Sequence, residues 1–315
     1  MLEEKERKQI NALATRAKDS PAVERSKENG SATNWKNPAR PPFCKRRCGT
    51  LRFMRRSIGP QPQILFEGAD ALVVVKPRGW RTHERAEEAG PSLARWFLLR
   101  EPSRAGVGEL HFDAERKASV LRPGVVHRLD TETTGVVILA KTSPAYKFFK
   151  RQLKERTARK EYLAVVWGAM KEPRGSIRYP LQRARGARKR ITLRRLPIEG
   201  QLPRGAKEAS TEWVLLGGGE LEGKLVSLLR VVPLTGRTHQ IRAHLMAIGR
   251  PIVGDMLYRT AAPIETERYP LLLHSWSLAI RLPQERGART FVAPIPEDWP
   301  ERIRALVSES ATRLA

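Results

Sequence analysis

His127-Arg128-Leu129-Asp130-Thr131-Glu132-Thr133-Thr134-Gly135 runs directly into Val136-Val137-Ile138-Leu139-Ala140. The second half is a short, uninterrupted apolar run rich in β-branched residues. Its length and composition suit a strand buried on both faces. The first half sets one carboxylate, Asp130, between an arginine and a hydroxyl-rich turn, at the entrance to that strand. A carboxylate on so rigid an element suits a nucleophile or a base. Taken as an isolated Arg-Leu-Asp, it reads better as a loop aspartate capping the turn, so the remainder of the chain has to decide.

The chain has 315 residues, with 59 Lys and Arg against 33 Asp and Glu, for a formal net charge of +26. That length provides a sizeable core in one large domain or two ordinary ones. An excess of positive charge on this scale points to nucleic acid as the partner. The excess is concentrated in two places. Gly30 to Pro60 holds eight Lys and Arg (Lys36, Arg40, Lys45, Arg46, Arg47, Arg52, Arg55, Arg56) and no acid. Arg174 to Lys207 holds eleven against the single acid Glu199. Such runs attract phosphate backbones without reading sequence. No apolar stretch approaches the roughly 20 residues of a membrane span, and the N-terminus has no secretory h-region, so a cytoplasmic protein is expected. Cys44 and Cys48 cannot complete a structural zinc site between them.

Residues 1–60 lack apolar periodicity and read as a disordered or loosely helical basic arm. The folded part, 61–315, opens with β-type runs at 64–66 and 72–75, stopped by Lys76-Pro77-Arg78-Gly79. A helix is expected over 92–99. A second begins with Ser143 as N-cap and Pro144 in the first turn, and places Tyr146, Phe149 and Leu153 on one face. Strands are expected at 162–167, 210–216, 225–232 and 271–282, with Gly217-Gly218-Gly219 as a hairpin turn. Short helices are expected at 238–248 and 294–307. Many strands with hairpin-length connections and a few helices indicate an α+β domain on a largely antiparallel sheet.

Several chemistries can be set aside. His239 and His244 are five residues apart, so a helix points them in different directions, unlike a zinc-protease pair. The triple glycine has neither a phosphate-loop ending nor dinucleotide spacing, and no Gly-x-Ser-x-Gly elbow occurs. What survives is a set of aspartate, arginine and tyrosine. An arginine beside Asp130 would favour its ionised form. Tyr162, at the start of a strand, offers a face for a nucleobase, where stacking contributes roughly 1–3 kcal/mol. Core packing explains Tyr162 equally well from spacing alone, and an ion pair within the helix explains Arg242 slightly better.

The motifs together resemble the RluA-type pseudouridine synthases, which isomerise uridine in RNA. The resemblance rests on His127-Arg128-Leu129-Asp130 with Thr133-Thr134-Gly135, on Lys160-x-Tyr162, and on Gly236-Arg237-Thr238-His239-Gln240-Ile241-Arg242 with Gly254-Asp255. It extends to Leu72–Gly79, Leu273-His274-Ser275 and Pro294–Trp299, covering about residues 62–310. The branch that modifies small-subunit ribosomal RNA usually has glycine where His127 stands. Thr134 and Ser275 depart from the usual serine and alanine. The small ribosomal-protein-like domain that some members carry is not recognisable in residues 1–60.

The resemblance implies an α+β pseudouridine synthase fold: a mixed, largely antiparallel sheet with flanking helices and a central RNA-binding cleft. It implies that Asp130 acts at the ribose, that Tyr162 stacks on the detached uracil and helps remove the proton from carbon 5 after rejoining, and that Arg242 pairs with Asp130. Arg128 would fill the space left by a flipped base, and His127, Thr134, Arg237, His239 and Gln240 would line the substrate site. The reaction is an isomerisation, so no cofactor and no metal are expected. The partner would be ribosomal or transfer RNA, with no membrane, and the protein a monomer. A non-catalytic RNA-binding or ribosome-assembly factor on the same fold is the rival reading. It gives no reason to retain Asp130, Tyr162 and Arg242 together.

Overall fold

The computed structural model describes residues 60–83, 90–113, 118–184, 190–192, 201–259 and 268–310. Apart from Pro60, the basic arm lies outside the described residues. In chain order the elements are β1 (Gln63–Glu67), β2 (Ala71–Lys76), α1 (Leu93–Arg100), β3 (Leu110–Asp113), β4 (Ala118–Leu121), β5 (Thr134–Ala140) and α2 (Ser143–Glu155). They continue with β6 (Arg159–Trp167), β7 (Arg174–Ile177), β8 (Leu181–Arg183), β9 (Arg190–Thr192), β10 (Thr211–Leu221) and β11 (Lys224–Pro233). The last four are α3 (Gln240–Ala247), β12 (Leu273–Arg281), β13 (Ala288–Val292) and α4 (Glu301–Glu309).

Nine strands form one sheet in the order β1-β2-β5-β12-β6-β11-β10-β7, with β13 added on β12. Every pairing in it is antiparallel except β5 with β12. The expected α+β architecture on a mixed, largely antiparallel sheet is borne out. Period-2 alternation divides the core. Val137 and Leu139 of β5 and Tyr162, Ala164 and Val166 of β6 pack with α1 and α3 on one face. On the other face Val136 and Ile138 pack against Tyr146 and Phe149 of α2. Leu163, Val165 and Trp167 meet Ile303 and Val307 of α4 there. Because β5 and β6 are covered on both sides, each reads as an almost continuous apolar run. Among the described residues no helix is long and apolar enough to cross a membrane.

The parallel contact is brief, His274 with Thr134 and Ser275 with Gly135, and it depends on glycine. Gly135 has φ of +116°, and a Cβ there would overlap the carbonyl of Ser275. Beyond this point β12 leaves β5, and Val125 bridges to Leu139 in its place.

Three local expectations are corrected. Gly217-Gly218-Gly219 is not a turn; it lies inside β10, paired with Leu228, Ser227 and Val226, and the hairpin closes at Leu221 and Lys224. A Cβ on Gly217 would press into Leu306 at 2.9 Å, so the bare backbone makes room for α4. Thr142, rather than Ser143, caps α2, accepting from the Ala145 N–H at 3.3 Å and donating to Asp70 at 2.9 Å. The closing helix starts at Glu301 instead of 294, after Pro294, Pro296 and Pro300. Within the basic run, β8 and β9 pair as a small hairpin, while 185–189 and 193–200 lie outside the described residues.

Candidate active site

Asp130 sits in the loop that enters β5, and the backbone on either side of it is pinned. On one side the Thr82 hydroxyl donates to the Leu129 carbonyl and accepts the Leu129 N–H, each at 3.0 Å. On the other the Thr131 carbonyl accepts from Lys76 Nζ at 2.9 Å and from the Gly79 N–H at 3.1 Å. The Lys76 ammonium is fully buried and also donates to the carbonyls of Trp80 at 2.7 Å and Pro77 at 2.9 Å. Arg78 donates to the Glu132 and Leu271 carbonyls at 2.8 and 2.9 Å and is itself held by Asp298 at 2.6 Å. The Lys76–Gly79 turn is therefore a brace for the loop.

Burial pushes the Lys76 pKa down to about 7, although Glu132 and Asp130 oppose the shift. Between that value and the ordinary 10.5 the unfolded chain binds the extra proton, so this group adds stability as pH rises through the window. Lys76→Met is expected to lower stability at pH 7 by about 1–3 kcal/mol, through the stranded Trp80 carbonyl. The gap to wild type should widen by about pH 9. Urea unfolding of both proteins at the two pH values checks this, and a narrowing gap refutes it.

Arg242, buried on α3, connects two carboxylates. Its Nε and Nη2 grip Asp255 Oδ2 and Oδ1 at 2.7 and 2.8 Å, while Nη1 reaches Asp130 Oδ2 at 3.4 Å. Burial disfavours the guanidinium's charge, but the hydrogen bonds and charge of Asp255, with Asp130 beyond, outweigh it and hold its pKa above the ordinary value. Asp255 is almost fully buried, and its Oδ1 also accepts the N–H groups of Leu257 at 2.9 Å and Tyr258 at 2.8 Å. The turn that delivers it requires Gly254: its φ is +76°, and a Cβ would overlap the Pro270 carbonyl. Arg242 is thus tied to another loop, and not within its own helix.

His239 precedes α3 in the left-handed region, φ +54°, a conformation that histidine tolerates better than most side chains. This places Nε2 3.8 Å from Asp130 Oδ1 and Nδ1 3.3 Å from the Tyr258 hydroxyl. Burial lowers the His239 pKa, with Asp130 pulling the other way, so Arg242 supplies the full positive charge next to Asp130. Gln240 uses its whole amide to position this turn. Its Oε1 accepts from the Thr235 hydroxyl and the Arg237 N–H, and its Nε2 donates to the Ser210 carbonyl and the Thr211 hydroxyl.

Tyr162 lies across the sheet from Ser275 on one side and Val231 on the other. Burial pushes its pKa up to about 12, so it remains a neutral phenol near pH 7. Asp130, Tyr162 and Arg242, from three separate segments, meet in one cleft of 1410 Å³. Arg128, His127, Arg237, His239 and Gln240 line it too, and Arg128 and Arg237 are exposed. Thr134 does not line it: its hydroxyl is bonded to His274 Nδ1 at 2.7 Å. His127 has a structural task as well, since its Nε2 accepts the Ile138 N–H at 3.1 Å where β12 has left β5. Burial pushes its pKa down to about 3, so it adds no charge to the cleft. Lys76, Arg78 and Ser275 were not singled out as site residues by motif reading. For the first two, the signal was present in the Lys-Pro-x-Gly turn itself.

The fold that carries this cleft is also seen among solved structures. The human RNA pseudouridylate synthase domain containing 1 superposes with a TM-score of 0.56 at 26% identity, covering 79% of this chain and 95% of that one. Residues 70–247 match the model of the RNA pseudouridylate synthase family, and the chain belongs to that family. An uncharacterized RNA pseudouridine synthase of Synechocystis sp. is 35% identical over 233 residues, 74% of this chain and 65% of the relative. The ribosomal large subunit pseudouridine synthase D of Borreliella burgdorferi is 30% identical over 234 residues, again 74% and 65%. The chain therefore spans slightly under two thirds of the length of these relatives, and the RluA-type resemblance is borne out.

Proposed function

We propose that this protein isomerises uridine to pseudouridine in RNA, with large-subunit ribosomal RNA as the first substrate to examine. The observation that carries the reading is the convergence of Asp130, Tyr162 and Arg242 in one cleft, within the part of the chain that matches the family model. The target nucleotide leaves its stack to reach the cleft. Asp130 acts at the ribose, where a carboxylate offsets the positive character that develops at the anomeric carbon as its bond to uracil N1 breaks. Arg242, at 3.4 Å, aims that carboxylate. The uracil anion turns against the Tyr162 ring and bonds to the anomeric carbon through C5. The C5 proton then leaves and N1 gains one, so atoms and charge balance. A phenol that remains protonated is a weak base. Tyr162 therefore holds the ring, and the carboxylate of Asp130 is the stronger acceptor for the C5 proton. Arg128 fills the gap in the RNA stack.

Incubating the protein with unmodified transcripts of large-subunit ribosomal RNA and transfer RNA, then mapping pseudouridine by a base-specific adduct, tests the proposal. Conversion at one or a few discrete uridines is expected. Tight binding with no conversion on either RNA would favour the assembly-factor reading.

A further inference from the structure

The lining of the cleft is uneven in charge. One wall carries Lys150, Arg151 and Lys154 from α2, Arg156 just after it, and Lys160 at the start of β6, with the acids Glu109 and Glu155 among them. The segment Val232 to Thr238, which leaves β11 beside β6, is mostly apolar and hydroxyl-bearing, and Lys160 Nζ lies against its Gly236; its Arg237 donates to the Glu208 carbonyl at 3.1 Å.

Two residues of the basic wall are kept at a cost. Arg156 caps α2 with φ of +61°, the position where glycine is the usual choice and a Cβ is strained. Lys160 is half-buried and two residues before Tyr162 on the same face of β6. Among the described residues it has neither a hydrogen-bond partner nor an ion pair, and burial lowers its pKa. Arg159, between them in sequence, is by contrast paired with Glu161 at 2.8 Å.

We infer that this wall is a phosphodiester track, on which Arg156 and Lys160 contact successive phosphates of the target strand, Lys160 innermost beside the flipped nucleotide. The inference rests on the RNA reading above and adds to it the side chains that take the backbone phosphates. A fold-stabilising role for either residue makes the opposite forecast, because Arg156→Gly relieves backbone strain.

The experiment measures affinity of the full chain for an unmodified large-subunit ribosomal RNA transcript as a function of salt, for wild type, Arg156→Gly, Lys160→Gln and a control, Arg302→Gln, exposed on α4 outside the cleft. Each cleft variant is expected to weaken binding about four- to sixfold near 0.15 M salt and to flatten the slope of log K against log salt by about 0.7–0.9, the signature of one lost phosphate contact. Arg156→Gly should do so with an equal or higher thermal midpoint. Unchanged slopes in both variants, or an equal change in Arg302→Gln, overturn the track. Pseudouridine formation by wild type on the same RNA is scored separately, so failure of the catalytic reading is distinguishable from failure of the track.

Discussion

Asp130→Asn is expected to lower pseudouridine formation by about 10⁴-fold or more, the scale seen when a reacting group is removed from an active site. RNA affinity and thermal midpoint should stay near wild type. Asparagine has the shape of the acid but not its charge, so neither direct attack on the sugar nor acceptance of the C5 proton survives. The fold has little reason to respond. Asp130 reaches Arg242 only at 3.4 Å and His239 at 3.8 Å, whereas the loop is fixed through the backbones of Leu129 and Thr131. Arg242 retains its two shorter bonds to Asp255. Release of tritium from RNA labelled at uracil C5, filter binding and thermal unfolding read the three quantities separately. Undiminished tritium release would remove Asp130 from the reaction.

The site lies where the sheet changes character. The parallel pairing within the nine-stranded sheet, between β5 and β12, brings the Asp130 loop alongside Ser275, and Ser275 is opposite Tyr162 on the next strand. The same splitting of the sheet leaves the Ile138 amide to be met by His127. Residues 251–253 thread beside β6, where Trp167 donates to Pro251 and Val253 to Val165. That brings Asp255 beneath Arg242. Irregular pairing at the centre of the sheet is thus what assembles the acid, the ring and the arginine.

These arrangements differ in how visible they are in sequence. Spacing alone left Tyr162 even with core packing and favoured an ion pair within the helix for Arg242; the resemblance carried by the motifs together is what singled them out with Asp130. The alternation along β5 and β6 foretold which side chains share a face. Gly217-Gly218-Gly219 misled because glycine serves a turn and a close helix contact equally, and Leu306, which decides between them, is nearly 90 residues away. The β5–β12 parallel contact was illegible for the same reason: no local pattern distinguishes a neighbour 140 residues distant. Thr142 displaced Ser143 as cap because Asp70, also remote, fixes its hydroxyl. Gln240 looked like a substrate ligand, yet Ser210 and Thr211, brought to it by β10, take up its amide.

Arg242→Met should be the most damaging change to stability, by about 3–5 kcal/mol at neutral pH, because it leaves Asp255 as a buried charge without its cation. The two N–H groups of Leu257 and Tyr258 do not replace a bidentate guanidinium. A buried carboxylate without its cation is costly, and taking up a proton removes that cost. The deficit of the variant is therefore expected to shrink as pH falls from about 7 toward 5. Arg242→Lys should recover little, since a point charge cannot span both oxygens of Asp255 and still reach Asp130. Adding Asp255→Leu to Arg242→Met should restore much of the lost stability, because removing both ions is far cheaper than removing one. It should restore no activity, because Asp130 remains without the group that aims it. Urea unfolding at two pH values separates these forecasts from a packing effect: a loss independent of pH and untouched by the second substitution would place the role of Arg242 in packing alone.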